Sequence, residues 1–222
     1  MSRILTALIT LTVLLSSARA ADLPAPLTAA FDEAAQYADF RASFSMRATS
    51  DEGVLVMRYD AQNEDWIIME GDLADLDKSG RTVIEDMQAR LSAPGKITYH
   101  EMAGKISSAV LTEDTGSELV YAVTLVNEDG EMGEKMQDAV NPTLVLDSET
   151  GKISRFSMKA DKPFKPVPVA RIDTMVLEQA YTVLDDGPAV INRFHNDTTG
   201  SMMFKNFSQR YTIELYDFVP VK

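Results

Sequence analysis

Residues 169–219 read VARIDTMVLEQAYTVLDDGPAVINRFHNDTTGSMMFKNFSQRYTIELYDFV. This stretch, close to a quarter of the chain, decides the fold. Four strand-like runs can be marked in it, at 169–184, 189–195, 202–208 and 211–219. They are separated by Asp185-Asp186-Gly187-Pro188, by Asn196-Asp197-Thr198-Thr199-Gly200 and by Gln209-Arg210. The first two separators carry turn chemistry, because Gly supplies positive φ, Pro fixes φ, and Asn and Asp bond their own backbone. Joints this short pair neighbours antiparallel, since parallel neighbours need a crossover of a dozen residues or more. The stretch therefore predicts a β-meander.

Towards the N-terminus the same pattern recurs. Ala42, Phe44, Met46 and Ala48 alternate with polar residues across 41–49, which gives a strand with one buried and one wet face. A turn at 50–53 leads into a strand at 54–59, and 65–70, with Trp66, Ile67, Ile68 and Met69, is a third; the three form antiparallel hairpins. Further strands are expected at 106–112, 119–126, 143–147 and 153–159. The prolines of 163–168 hold that segment extended. Apolar residues at helical spacing predict amphipathic helices over 27–40 (Leu27, Ala30, Phe31, Ala34, Ala35, Ala38) and 81–91 (Val83, Ile84, Met87, Leu91). A helical or irregular piece lies at 97–104, and a polar insertion with some helical character at 128–140. About eleven strands and two or three helices that interrupt them describe an α+β fold on an antiparallel sheet.

Residues 1–20 are excluded from that fold. Arg3, the apolar run 4–15 and the small residues of Ser17-Ala18-Arg19-Ala20 form a secretory leader, with cleavage expected between Ala20 and Ala21. The alternative, an N-terminal membrane anchor, asks a short run to span a bilayer. The remainder, 21–222, suits a single domain with its own core. No later apolar stretch approaches the ~18 residues of a spanning helix. The chain has no cysteine, so its core must hold it without disulfides in an oxidising space; a periplasmic address is expected, and full secretion stays open. The net charge is −13, and removal of Arg3 and Arg19 makes the mature chain more acidic still. Nucleic acid and anionic membrane surfaces would be repelled at long range. A basic protein partner would not, although acidity also serves plain solubility.

Candidate chemistry is thin. The two histidines, His100 and His195, sit in no nucleophile motif, and His195 reads as a polar residue at a strand end. Two isolated histidines and no cysteine leave a transition metal almost without ligands. Asp75-Leu76-Asp77-Lys78-Ser79-Gly80 spells the opening of a calcium loop, with oxygens at positions one, three and five and Gly at six. Thr82 and Asp86 then depart from that pattern, and an acidic cap on the following helix accounts for the same residues. Asp185-Asp186 and Glu113-Asp114 are turn residues. No catalytic residue, metal site or cofactor is assigned.

Several strands are apolar on both faces, so the second face must be covered by helices or by a ligand. Twelve methionines, among them Met46, Met57, Met69, Met158, Met175, Met202 and Met203 in strand runs, suit adaptable apolar surfaces and equally serve as core filler.

The layout of leader, helix, alternating strand (Phe40-Arg41-Ala42-Ser43-Phe44-Ser45), Gly-led strand (Gly53-Val54-Leu55-Val56-Met57-Arg58-Tyr59) and Trp-bearing strand (Trp66-Ile67-Ile68) resembles the opening of the LolA/LolB-type lipoprotein carriers and their LppX-like relatives. The ending, Tyr211–Tyr216 followed by Asp217-Phe218-Val219-Pro220-Val221, is similar to the way such half-barrels close. Segments 71–80 and 128–140 have no counterpart in that family, and Arg47 and Arg58 are the candidates for its lid arginine. The Arg58-Tyr59-Asp60 to Trp66 spacing and Pro163-Phe164-Lys165-Pro166 resemble exported proteobacterial proteins, which implies export and supplies no activity. The carrier resemblance implies a curved half-barrel whose concave face, lidded by helices, takes up acyl chains without chemistry. Strand parity then points to Phe44, Met46, Leu55, Met57, Trp66 and Ile68 as the lining for a lipid or lipoprotein acyl chain, with the opposite parity open for the middle strand, 54–59. The alternatives are an interaction module with a closed, dry core and acidic loops, and a hydrolase.

Overall fold

The computed structural model describes residues 23–126, 134–185, 187–203 and 205–221. The expected leader and the first part of the 128–140 insertion, 128–133, fall outside these residues. Eleven strands make one antiparallel sheet: β1 Ala42–Ser50, β2 Gly53–Asp60, β3 Asp65–Glu70, β4 Ile106–Asp114, β5 Glu118–Leu125, β6 Val140–Asp147, β7 Ile153–Ala160, β8 Phe164–Val167, β9 Ala170–Val183, β10 Ala189–Met202 and β11 Lys205–Pro220. Their spatial order is β3-β2-β1-β11-β10-β9-β7-β6-β5-β4, with β8 beside β9. The sheet does not close, and the fold is an α+β half-barrel. Register shifts at Ser43/Ser45, Val56/Met57, Ile191/Arg193 and Thr199/Gly200 supply bulges, which bend and twist the strands that carry them.

The meander is built from three long strands rather than four. Asn196-Asp197-Thr198-Thr199-Gly200, expected as a turn, lies inside β10, and Gln209-Arg210 lies inside β11. The hairpin between them turns at Met203, whose φ is 50°, with Met202 paired to Lys205. Cross-strand partners override the local turn chemistry. Asn196 and Thr198 are buried, and the Thr198 hydroxyl donates to Asn196 Oδ1 at 2.7 Å. Thr199 bonds Thr174 at 2.7 Å, and Arg210 donates to Asp197 at 3.1 Å. Gly200 marks a close approach: a Cβ there would stand 2.2 Å from the Arg171 carbonyl oxygen and 2.9 Å from the Phe207 ring. The proline-held segment at 163–168 contributes β8, so the expected strand number is reached by a different division of the chain.

Among the described residues three helices accompany the sheet: α1 Ala25–Ala35, α2 Lys78–Leu91 and the short α3 Glu134–Gln137. The first is shorter than the expected 27–40. Beyond Gln36 the chain descends in single turns, Tyr37 N–H to Ala34 O and Phe40 N–H to Tyr37 O, and Ala38 is exposed. Leu27, Ala30, Phe31 and Ala34 are buried, and Phe31 meets Tyr99 edge-on at 6.2 Å. Tyr99 in turn meets Tyr181 of β9 at 5.4 Å. Because β3 and β4 are the two edges of the sheet, the chain between them carries α2 and the 3-10 turn His100–Lys105 from one edge to the other.

Two acids around the 75–80 segment, Asp72 and Asp77, act as caps. Asp77 Oδ1 accepts the Gly80 N–H at 2.7 Å, so α2 starts three residues before the expected Arg81, and Asp72 caps the 3-10 turn Leu73–Asp75. An acidic oxygen at an N-terminus satisfies orphan N–H groups and complements the helix dipole.

Candidate functional site

Helix α2 buries Val83, Ile84 and Leu91 towards the sheet, and it is fixed differently at its two ends. At the C-terminal end, Trp66 Nε1 donates to Ser92 Oγ at 2.8 Å, the Tyr59 hydroxyl donates to the Ser92 carbonyl at 3.2 Å, and Gln88 Nε2 reaches Met57 Sδ at 3.5 Å. At the N-terminal end the contacts are polar and outer: Gln209 Nε2 to Ser79 Oγ at 3.3 Å, and the Asp77 N–H to Glu52 at 3.0 Å.

The sheet beneath the helix is ruled into rows by strand pairing. Phe44 faces Tyr59, Met46 faces Met57, Ala48 faces Leu55, and Ser50 faces Gly53. Side-chain size falls along both strands in step, from two aromatics to two thioethers, then to Ala and Leu, then to Ser and Gly. β11 adds Leu215 beside Met46, Ile213 beside Ala48 and Tyr211 beside Ser50. The space between α2 and the sheet is therefore filled at the aromatic end and empty at the small-residue end. A cavity of about 260 Å³ lies there. Its floor is Ala48, Leu55 and Ile213, its roof Leu76, Val83 and Ile84, and Phe207 closes one side. The mouth is polar and mostly acidic, with Asp51, Glu52, Asp77, Gln209 and Arg210.

Of the six residues expected to line a ligand site, Leu55 faces this cavity. Phe44, Met46 and Met57 are buried to within 1% and belong to the packed end. Phe44 sits 5.5 Å from Tyr59, 5.6 Å from Trp66 and 5.9 Å from Phe218, ring centre to ring centre. Trp66 is tied to Ser92. Ile68 lies on the sheet edge at 42% exposure. The alternation thus identified the inward face, while the cavity residues on α2 and β11 went unmarked. Their signal was the parallel taper of β1 and β2.

In the row nearest the mouth, beside Ser50, the Tyr211 ring stacks on Phe194 at 5.9 Å. Burial pushes the Tyr211 hydroxyl well above the ordinary tyrosine range, and its bond with the Asn196 side chain pulls more weakly the other way. The histidines are engaged elsewhere. His100 Nδ1 lies 2.9 Å from Thr98 Oγ1 and 3.1 Å from the Gly95 carbonyl oxygen. His195, expected at a strand end, stands in the interior of β10 with Nδ1 3.0 Å from Thr212 Oγ1. Among the described residues no three His, Asp or Glu side chains gather as a metal site would require. A second, wider cleft at Asp138, Lys162, Phe164, Lys165 and Arg171 is shallow and charged. Its Arg171 is already paired with Asp173 at 2.6 Å.

No family model, curated protein or solved structure matches the chain. The functional reading rests on the cavity under α2.

Proposed function

We propose that the mature chain is a periplasmic, non-enzymatic binder of an apolar ligand, a lipid tail or lipoprotein acyl chain, held between α2 and strands β1, β2 and β11. The observation that carries the reading is the half-open, largely apolar wedge of about 260 Å³ floored by Ala48, Leu55 and Ile213 and roofed by Leu76, Val83 and Ile84. Apolar side chains lining such a wedge gain by exchanging water for hydrocarbon. At about 30 Å³ per water-sized group, it holds roughly eight or nine such groups, and a methylene is of similar size. At about 0.8 kcal/mol per methylene the gross gain is roughly 6–7 kcal/mol, equivalent to a Kd in the tens of micromolar. The sequence resemblance to LolA/LolB-type carriers agrees with this reading.

The test is native mass spectrometry of protein purified from its own host, paired with displacement of a fluorescent fatty acid. A Leu55→Asp variant, which puts a charge on the cavity floor, is expected to lose both the co-purified mass and the displacement. Wild-type protein that carries no lipid and displaces no probe would refute the reading. A second reading, an interaction module, is favoured by edge strand β3, where Ile67, Ile68 and Met69 are exposed at 48%, 42% and 64% between Asp65 and Glu70. An apolar edge with acidic ends suits an added strand with basic flanks. Crosslinking to a periplasmic protein that is lost in Ile68→Lys would favour it over the carrier.

A further inference from the structure

We infer that the site selects its ligand by chain length, and that Met46 with Met57 is the stop that sets the limit. The inference rests on the proposed tail binding and adds the class of tail: medium-length rather than the full length of a membrane acyl chain. Its basis is the paired taper of β1 and β2. From the mouth inward, the rows Ser50/Gly53 and Ala48/Leu55 border the space under α2, and the next row, Met46/Met57, is buried and no longer borders it. Met46 and Met57 are 0% and 1% exposed and Leu215 beside them is 3% exposed, so the wedge ends there. Beyond that row stand the rings of Phe44, Tyr59, Trp66 and Phe218, packed on one another at centroid distances of 5.1–5.9 Å. A tail that advances from the mouth meets thioether and then aromatic packing, with no continuing channel past that row.

A gauge of this kind has a definite signature. Each added methylene strengthens binding about fourfold while it still enters the wedge. Once the wedge is full, further methylenes stay in water and add nothing. From the cavity volume, the break falls at roughly eight or nine carbons.

The experiment is calorimetric titration of the full mature chain with straight-chain alkyl maltosides from hexyl to tetradecyl, each below its micelle threshold. Their uncharged head avoids repulsion at the acidic mouth. Wild-type protein is expected to give a rising line that flattens near octyl or nonyl maltoside. Met46→Ala removes the three atoms beyond Cβ and moves the break about three carbons longer. Ala48→Val moves it roughly two carbons shorter, and it guards against failure of Met46→Ala to fold, because it leaves the packed end intact. Affinity that climbs without a break through tetradecyl, or a break that neither variant moves, overturns the gauge and leaves tail binding standing. Absence of binding for every chain length overturns both.

Discussion

Replacing Ala48 by Leu puts the wedge itself under test. The change adds three carbons on the cavity floor, where the void accepts roughly eight or nine groups of that size, so the new side chain fits without displacing Leu55 or Ile213. Burial of three carbons at about 0.8 kcal/mol each contributes roughly 2.4 kcal/mol. Lost rotamer freedom takes back about 0.5–1 kcal/mol. The net is about 1.5 kcal/mol of added stability, which raises Tm by about 3–6 °C in a domain of this size. Thermal and urea unfolding with and without decyl maltoside give the readout. Ala48→Leu is expected to melt higher than wild type when unliganded and to lose most of the ligand-induced increase, since three methylenes' worth of the site is gone. A stabilised protein with impaired binding is the usual trade at a functional cavity. A lower Tm with an unchanged m-value would mean that the added carbons collide with packed atoms. The wedge would then be filled by the protein's own side chains and the reasoning would fail.

Gly200→Ala is expected to cost about 2–3 kcal/mol or more in thermal unfolding, because its Cβ would lie 2.2 Å from the Arg171 carbonyl oxygen, a backbone atom that cannot swing aside. A near-neutral result would show that β9 and β10 do not approach there. Ser92→Ala leaves the Trp66 indole N–H without its partner and should cost about 1–2 kcal/mol in urea unfolding, followed by the fluorescence of the chain's single tryptophan. Unchanged stability would detach the C-terminal end of α2 from β3. At high pH, burial raises Tyr99 to about 12, and burial likewise lifts Tyr181 and Tyr211 above the usual range. Each keeps its stabilising contribution below the unfolded value near 10 and loses it as pH rises through the folded value, about 3 kcal/mol for Tyr99. Urea midpoints should fall steeply between pH 10 and 12; a flat profile would place these hydroxyls in water.

The first three strands were legible because their turns are local and one face alternates cleanly. Ala42, Phe44 and Met46 fall inward as the period of two requires, and the polar turns at 50–53 and 60–64 lie between paired neighbours. The C-terminal stretch misled for the opposite reason. Asn196, Asp197, Thr198 and Gly200 favour a turn when nothing else acts on them. Here three of the four are answered from another strand, Asn196 by Tyr211, Asp197 by Arg210, and Gly200 by the backbone of Arg171 and the ring of Phe207, and Thr198 donates to Asn196 within β10. The actual turn falls at Met203, in the left-handed region with φ 50°, where no glycine or asparagine announces it. Turn propensity is a preference of the free chain, and long-range pairing outweighs it when the same polar groups find partners in the sheet.

The cavity was only partly legible for a related reason. Alternation assigns a side chain to a face, and all six expected residues do come from the strands that α2 covers or borders. It does not assign depth. Whether an inward residue is sealed or borders a void depends on the residue opposite it and on the helix above, and both are fixed by register. Phe44 and Met46 would border a void if small residues faced them; Tyr59 and Met57 face them instead, and the space is filled. Ala48 escapes because its partner Leu55 is only moderately large and Ser50 and Gly53 follow. Two strands that shrink together towards their shared turn make a wedge under any straight rod laid across them. The cavity is thus a property of pairs of positions, Ala48 with Leu55 and Ser50 with Gly53. A reading that scores residues singly marks the greasiest of them, and those are the ones the fold uses as its stopper.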